Sequence, residues 1–153
     1  MDFLNEIDLY LRAKATLMIV ISAEEERILE ELKTLCLNTG RSCVSWDIAD
    51  GFQSVYGDLL PAGGRDPLTA LEQIEKADAR QPFLYILKDF NEFWENTTVK
   101  RKLRTLAEQL KFTKKSIVIT AASARIPVEL LDESVILDYP LPNLAQLEEV
   151  LNK

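Results

Sequence analysis

The sequence contains no histidine, and cysteine occurs only twice among its 153 residues. Without an imidazole, neither a Ser-His nor a Cys-His nucleophile can be assembled, and no histidine metal ligand is available. Cys36 and Cys43 do not make a CxxC pair, and two thiols alone do not complete a tetrahedral zinc site. They are expected as reduced thiols in or near the core. Glycine is scarce as well: none precedes Gly40, and four of the five lie between Gly51 and Gly64. The opening MDFLNEIDLY has neither the basic start nor the apolar run of a signal peptide. No segment approaches the roughly 18 consecutive apolar residues of a membrane span. These absences lead to the expectation of a soluble, intracellular protein. Positive charge is in deficit too, the formal net charge being −7. Such a balance argues against broad binding to nucleic acid or anionic membranes, although a local basic patch stays compatible with it.

What is present points to one domain with a substantial core, since 47% of the residues are hydrophobic. Phe3, Ile7, Tyr10 and Leu11 share one face of a helix over 3–13. TLMIVIS (16–22) reads as a strand covered on both faces, and Ser22 with Glu25 reads as a capping box opening a helix to about Asn38, ended by Gly40. SCVSWDI (42–48) is the second strand. The glycine-rich stretch 50–66 is expected as a long loop, functional or mobile rather than an ordinary link. Pro67 starts a helix through LTALEQIEKA, FLYILK (83–88) is the third strand, and Val99, Leu103, Leu106 and Leu110 form the buried stripe of a helix over 98–112. SIVITAA (116–122) and SVILDY (134–139) are the fourth and fifth strands, with a helical turn after Pro127 and a last helix from about Asn143. Strands alternating with helices predict an α/β three-layer sandwich around a five-stranded parallel sheet.

FLYILKDFNEFWE (83–95) is a buried strand running into acid, the pattern of the Mg²⁺-binding strand of a P-loop ATPase. The other parts of such a site are missing. A phosphate loop needs GxxxxGK[ST] after the first strand; SAEEER (22–27) stands there instead. Glu24, Glu25 and Glu26 occupy the helix N-terminus where phosphate would lie, and acidic side chains are themselves favoured there by roughly 0.3–1 kcal/mol. Lys88 falls where a metal-binding Asp belongs and would repel Mg²⁺, while Asp89 takes the place of the catalytic Glu and reads as a strand-end residue. Thr120 and Ser123 only loosely meet the need for a polar residue ending the fourth strand. No catalytic, cofactor-binding or metal-binding residue is therefore assigned.

EIDLYLRAKATLMIVISAEEER, VSWDIADGF, PLTALEQIE, LYILKDFNEF and SVILDYPLPNLAQLEEVL together resemble the N-terminal region of the AAA ATPases encoded by a hypothetical chloroplast reading frame and its cyanobacterial relatives. The similarity runs across nearly all of residues 1–153. It implies a degenerate AAA-like domain without its own phosphate loop, preceding a catalytic module that would bind ATP and Mg²⁺. It also implies neighbouring subunits or a regulatory protein as partners, a cyanobacterial cytoplasm or plastid stroma as location, and a link to photosynthesis or inorganic-carbon uptake. Because Lys153 comes before any such module, the chain reads as a piece of a longer protein or a stand-alone relic.

Two surfaces are candidates for contact. Lys100, Arg101, Lys102 and Arg104, followed by Lys111, Lys114 and Lys115, are expected to make one basic helix, either a solvated face or a contact for an acidic partner, a neighbouring subunit or nucleic acid. Nucleic acid ranks last, because aromatics for stacking are too few. Phe52, Tyr56, Leu59 and Leu60 in the 50–66 stretch, and Phe90, Phe93 and Trp94 after the third strand, either cover the domain itself or dock a partner. The leading function is non-catalytic: assembly, regulation or partner recruitment for an ATPase. The alternatives are a nucleotide- or ligand-binding enzyme domain with an unconventional site at the strand ends, and a stand-alone adaptor.

Overall fold

Leu17–Ile21 carries apolar residues at every position, so both of its faces must be covered, and in the computed structural model it forms an inner strand, β1. The structure describes residues 2–78 and 80–139. Before β1, helix α1 spans Phe3–Arg12, with Asp2 accepting the Asn5 amide as its cap and Phe3, Ile7 and Leu11 buried. After β1, α2 spans Glu25–Thr39 and ends on Gly40 in the left-handed region (φ 70°), as the glycine predicts. The expected Ser22–Glu25 capping box does not form. Glu24 is the cap position and makes no side-chain cap bond, while Ser22 Oγ accepts the Glu24 amide at 3.0 Å.

Strand β2 is Ser42–Asp47, and a further strand, β3 (Gly51–Tyr56), follows where a loop was expected. The two pair antiparallel around a turn in which Asp47 Oδ1 accepts the amides of Ala49 and Asp50. The chain continues through α3 (Pro67–Lys76), β4 (Phe83–Lys88), α4 (Thr97–Gln109), β5 (Lys115–Ala121), α5 (Val128–Leu131) and β6 (Val135–Asp138). Asp66 and Asn96 cap α3 and α4 through their side chains. The expected last helix from Asn143 lies outside the described residues.

The sheet has six strands in the order β3-β2-β4-β5-β1-β6, with every neighbouring pair parallel except β2 with β3. It is the expected α/β sandwich with one antiparallel edge strand added. The sheet divides the core in two. Alternate residues such as Leu17, Ile19, Trp46, Phe83, Tyr85 and Leu87 meet α3 and α4, while Met18, Val20, Cys43, Leu84 and Ile86 meet α1 and α2. Cys36 and Cys43 are buried free thiols in the second layer. No helix among the described residues is long and apolar enough to cross a membrane.

Candidate functional site

In a parallel sheet, ligands meet the protein outside the carboxyl ends of the strands. Here the order β4-β5-β1 brings three such ends side by side. The Asp89 amide donates to Thr120 O and the Ser22 amide to Ala121 O, both at 2.8 Å, so the three ends are stitched together just past the strands. Asp89 itself adopts a left-handed backbone (φ 55°), which Asp tolerates better than most residues, and turns the chain into a short helical segment, Phe90–Glu92. A cleft of about 190 Å³ lies above them, lined by Ser22, Ala23, Glu25, Asp89, Thr120, Ala121 and Ala122.

Glu25, Lys88 and Asp89 lie close together at these strand ends. The sequence does not single out Asp47, which the structure adds. Trp46 pairs with Leu87 across β2 and β4, so the next residues along, Asp47 and Lys88, are neighbours. Lys88 Nζ lies 3.9 Å from Asp47 Oδ2, both side chains being largely covered. The signal was available: two adjacent strands each end in a charged residue, of opposite sign. Partial burial raises the Glu25 pKa above its ordinary value; Lys88 pulls it down again, and Asp89, Asp47 and Glu26 push it up.

This arrangement does not fit a nucleoside triphosphate. The first turn of α2 presents Glu25 and Glu26 to whatever approaches it, with Glu24 at the cap. The Glu24 amide, one of those a phosphate would need, is held by Ser22. The cation nearest Glu25 is the chain's own Lys88, which is paired with Asp47. Among the described residues no group of three His, Cys, Asp or Glu could hold a metal ion. At about 190 Å³ the cleft is also smaller than the roughly 300–1,000 Å³ of ordinary small-molecule sites.

The aromatic candidates belong to the core rather than to a surface. Phe90 and Trp94 are 0% and 2% exposed, and Phe52 is buried at 8%. Phe90 packs edge-on against Trp46 and Phe93, with centroids 5.7 and 5.8 Å apart, so the DFNEFW segment closes the α3/α4 layer. Tyr56 is half-buried on β3 against the other layer. The basic segment is largely neutralised from within. Lys100 meets Glu129 at 3.7 Å, Lys102 meets Glu75 at 2.8 Å and Lys111 meets Glu133 at 3.3 Å. Arg101 is exposed and Arg104 half-buried, neither with an ion pair among the described residues. Lys115 is not on the helix at all. It opens β5, is 3% exposed, and donates to the carbonyls of Ile74, Glu75 and Ala77. A residue the sequence reading passed over, Phe112, stands 90% exposed beside Lys111.

Relatives include the ycf46 AAA-domain-containing proteins of Guillardia theta, 37% identical over 99% of the chain, and of Trieres chinensis, 34% identical over all of it. The chain spans 30% and 31% of the length of those two proteins. Among solved structures, a chain of the Drosophila ORC bound to AT-rich DNA and Cdc6 superposes with a TM-score of 0.55 over 99% of this chain and 61% of that one. At 9% identity that likeness shows the fold alone. The model of the SpoVK-like AAA ATPase N-terminal domain matches residues 3–139, and the chain belongs to that family.

Proposed function

We propose that this chain is a single, non-catalytic N-terminal domain of an AAA ATPase, serving assembly, regulation or partner recruitment for a catalytic AAA module in the same protein. ATP and Mg²⁺ belong to that module in this reading. The observation that carries it is the net acidic character of these strand ends: Glu25 and Glu26 at the start of α2 with Asp89 nearby, and a single cation, Lys88, that is already paired with Asp47. The relatives' AAA-domain names and their greater length support the second half of the reading.

A P-loop-like sheet stripped of its nucleotide site is left with its folding and its outer faces. The partner face in this proposal is the α4–α5 side, where Arg101 and Arg104 accompany the exposed apolar side chains of Phe112 and Val128. The partners are the AAA module, neighbouring subunits or a regulatory protein. The location in a cyanobacterial cytoplasm or plastid stroma, and the link to photosynthesis or inorganic-carbon uptake, belong to the same proposal and rest on the family resemblance. Titration calorimetry of the purified chain with ATP and ADP, with and without Mg²⁺, tests the core of it. No heat of binding is expected, and a micromolar dissociation constant overturns the reading.

A further inference from the structure

At the amino ends of the strands, opposite the acidic cleft, positive charge collects. Ser42 pairs with Phe83 and Phe83 with Lys115, so the residues just before them, Arg41, Pro82 and Lys114, come level. Leu17 pairs with Ile117, which brings Lys14 level with Lys114 in turn. Arg12 joins them around a surface hollow that has no acidic residue among its described lining. We propose that this row of cations docks an acidic segment of a partner protein, with Phe112 as an apolar anchor. The inference deepens the recruitment reading by giving one partner its chemistry, and it rests on that reading.

Two of the cations here are already engaged. Lys115 is spent on the carbonyls at the end of α3, and Arg12 pairs with Asp8. Lys14 and Lys114 are exposed and Arg41 is half-buried, and none of the three has an ion pair among the described residues. Arg41 Nε is shut away from water with no hydrogen-bond partner among the described residues. An anion at the outer nitrogens of that guanidinium would offset a charge already partly desolvated. Lys14 holds a left-handed backbone (φ 62°) just past α1, where glycine would sit with less strain. The hydroxyls of Thr16, Thr39, Thr113 and Ser116 all donate to backbone carbonyls, which leaves charge as what the hollow offers.

Spacing selects the occupant. Arg41 and Lys14 precede β2 and β1, three strand spacings apart, which is about 14 Å. A single phosphate or carboxylate does not span that row, whereas about four residues of extended chain do. Phe112 stands 90% exposed, between Lys111 and the hollow-lining Thr113 and Lys114. An aromatic side chain beside a charged row is the kind of group that anchors a protein contact. Nucleic acids and anionic membranes are long or flat, so they would also meet the acids elsewhere on a chain of net charge −7. A short acidic segment meets the local row, because charges beyond about 8 Å are largely screened at physiological salt.

The probe is a fluorescein-labelled octapeptide in which six glutamates surround one phenylalanine and one leucine. Fluorescence anisotropy at about 50 mM salt is expected to show saturable binding, weakened at least about five-fold at about 300 mM. Nuclear magnetic resonance titration should place the shifts at Lys14, Arg41 and Phe112–Lys115. Lys14→Gln and Lys114→Gln, both at exposed positions, should each weaken binding by about three-fold, and Phe112→Ala by about five-fold. Lys33→Gln, at an exposed position on α2 outside the hollow, should leave it unchanged. Binding that does not saturate, shifts confined to other residues, an equal loss in Lys33→Gln, or equal binding of the peptide with lysine for glutamate overturns the proposal. Tighter binding of a single-stranded DNA oligonucleotide or of anionic vesicles at the same residues overturns it too, making the row a nucleic-acid or membrane contact. Micromolar ATP binding overturns the recruitment reading instead, and its shifts would fall at Ser22–Glu26, at the other end of the sheet.

Discussion

Replacing Lys115 with methionine is expected to destabilise the fold by about 3 kcal/mol. Its Nζ lies 2.7 Å from Ile74 O, 2.9 Å from Ala77 O and 3.2 Å from Glu75 O, all at the C-terminal end of α3. Carbonyls in a last helical turn have no intrahelical partner, and a cation there also meets the negative end of the helix dipole. Methionine keeps most of the aliphatic stem, so the loss of packing volume is small. What disappears is a set of charge-assisted hydrogen bonds worth about 1.5–3 kcal/mol each, and carbonyls left dry cost about 1–3 kcal/mol each. An opposing effect moderates the sum. Burial lowers the Lys115 pKa, against the pull of Glu75 and Asp78, so the ammonium carries a desolvation cost that methionine removes. Urea unfolding followed by tryptophan fluorescence reads the result. With a slope of about 2 kcal/mol per molar, the midpoint falls by about 1.5 M while the slope stays constant. Lys114→Met, at an exposed neighbouring position, is the control and should leave the midpoint unchanged. A fall of less than about 0.3 M for Lys115→Met would place it among ordinary surface substitutions and refute the capping role.

Glu25 gives a pH signature. Its folded pKa lies above the ordinary 4.5, so between those two values the folded state holds more proton than the unfolded state, and stability declines as pH rises through that window. Relative to Glu25→Gln, the parent should therefore lose stability from about pH 4.5 upward and level off above the folded pKa; a parent that gains instead contradicts the assignment. Lys88→Met should raise the Glu25 pKa further, because the attractive cation is removed, and a carbon-detected titration of the Glu25 carboxyl would show it. Phe90→Ala is expected to cost about 3–5 kcal/mol in urea unfolding, as for any fully buried aromatic, whereas a cost near 0.5 kcal/mol would return the segment to the surface. Asn96 accepts the amides of Thr98 and Val99, and Asn96→Ala should cost about 1 kcal/mol at the start of α4, measured by thermal denaturation.

The strands covered on both faces were readable because apolar runs such as FLYIL and SIVIT have few other uses. Strand β3 was not recognised because glycine density at Gly51 and Gly57 outweighed the short pattern between them. Yet Asp50-Gly51 is a hairpin signal, and Phe52 with Val55 and Tyr56 supplies the apolar side chains that pack inward. The inward packing of Phe90 and Trp94, with Phe93 half-buried beside them, had a signal as well, since i, i+3, i+4 spacing marks one face. At the cleft, Glu25, Lys88 and Asp89 could be placed because strand ends in a parallel sheet converge. Lys115 could not. Its partners lie about forty residues away in sequence, and a lysine ahead of an apolar run looks like any solvated flank.

The division of the core by the sheet has an optical consequence. Both tryptophans, Trp46 and Trp94, lie in the α3/α4 layer, and none lies in the α1/α2 layer. Indole emission therefore watches one side of the sheet only. A perturbation that loosened α1 or α2 while leaving the other layer packed would pass unseen by fluorescence and register in the amide circular dichroism. Comparing the two signals in one denaturation experiment would show whether the layers melt as a unit, something neither signal reports alone.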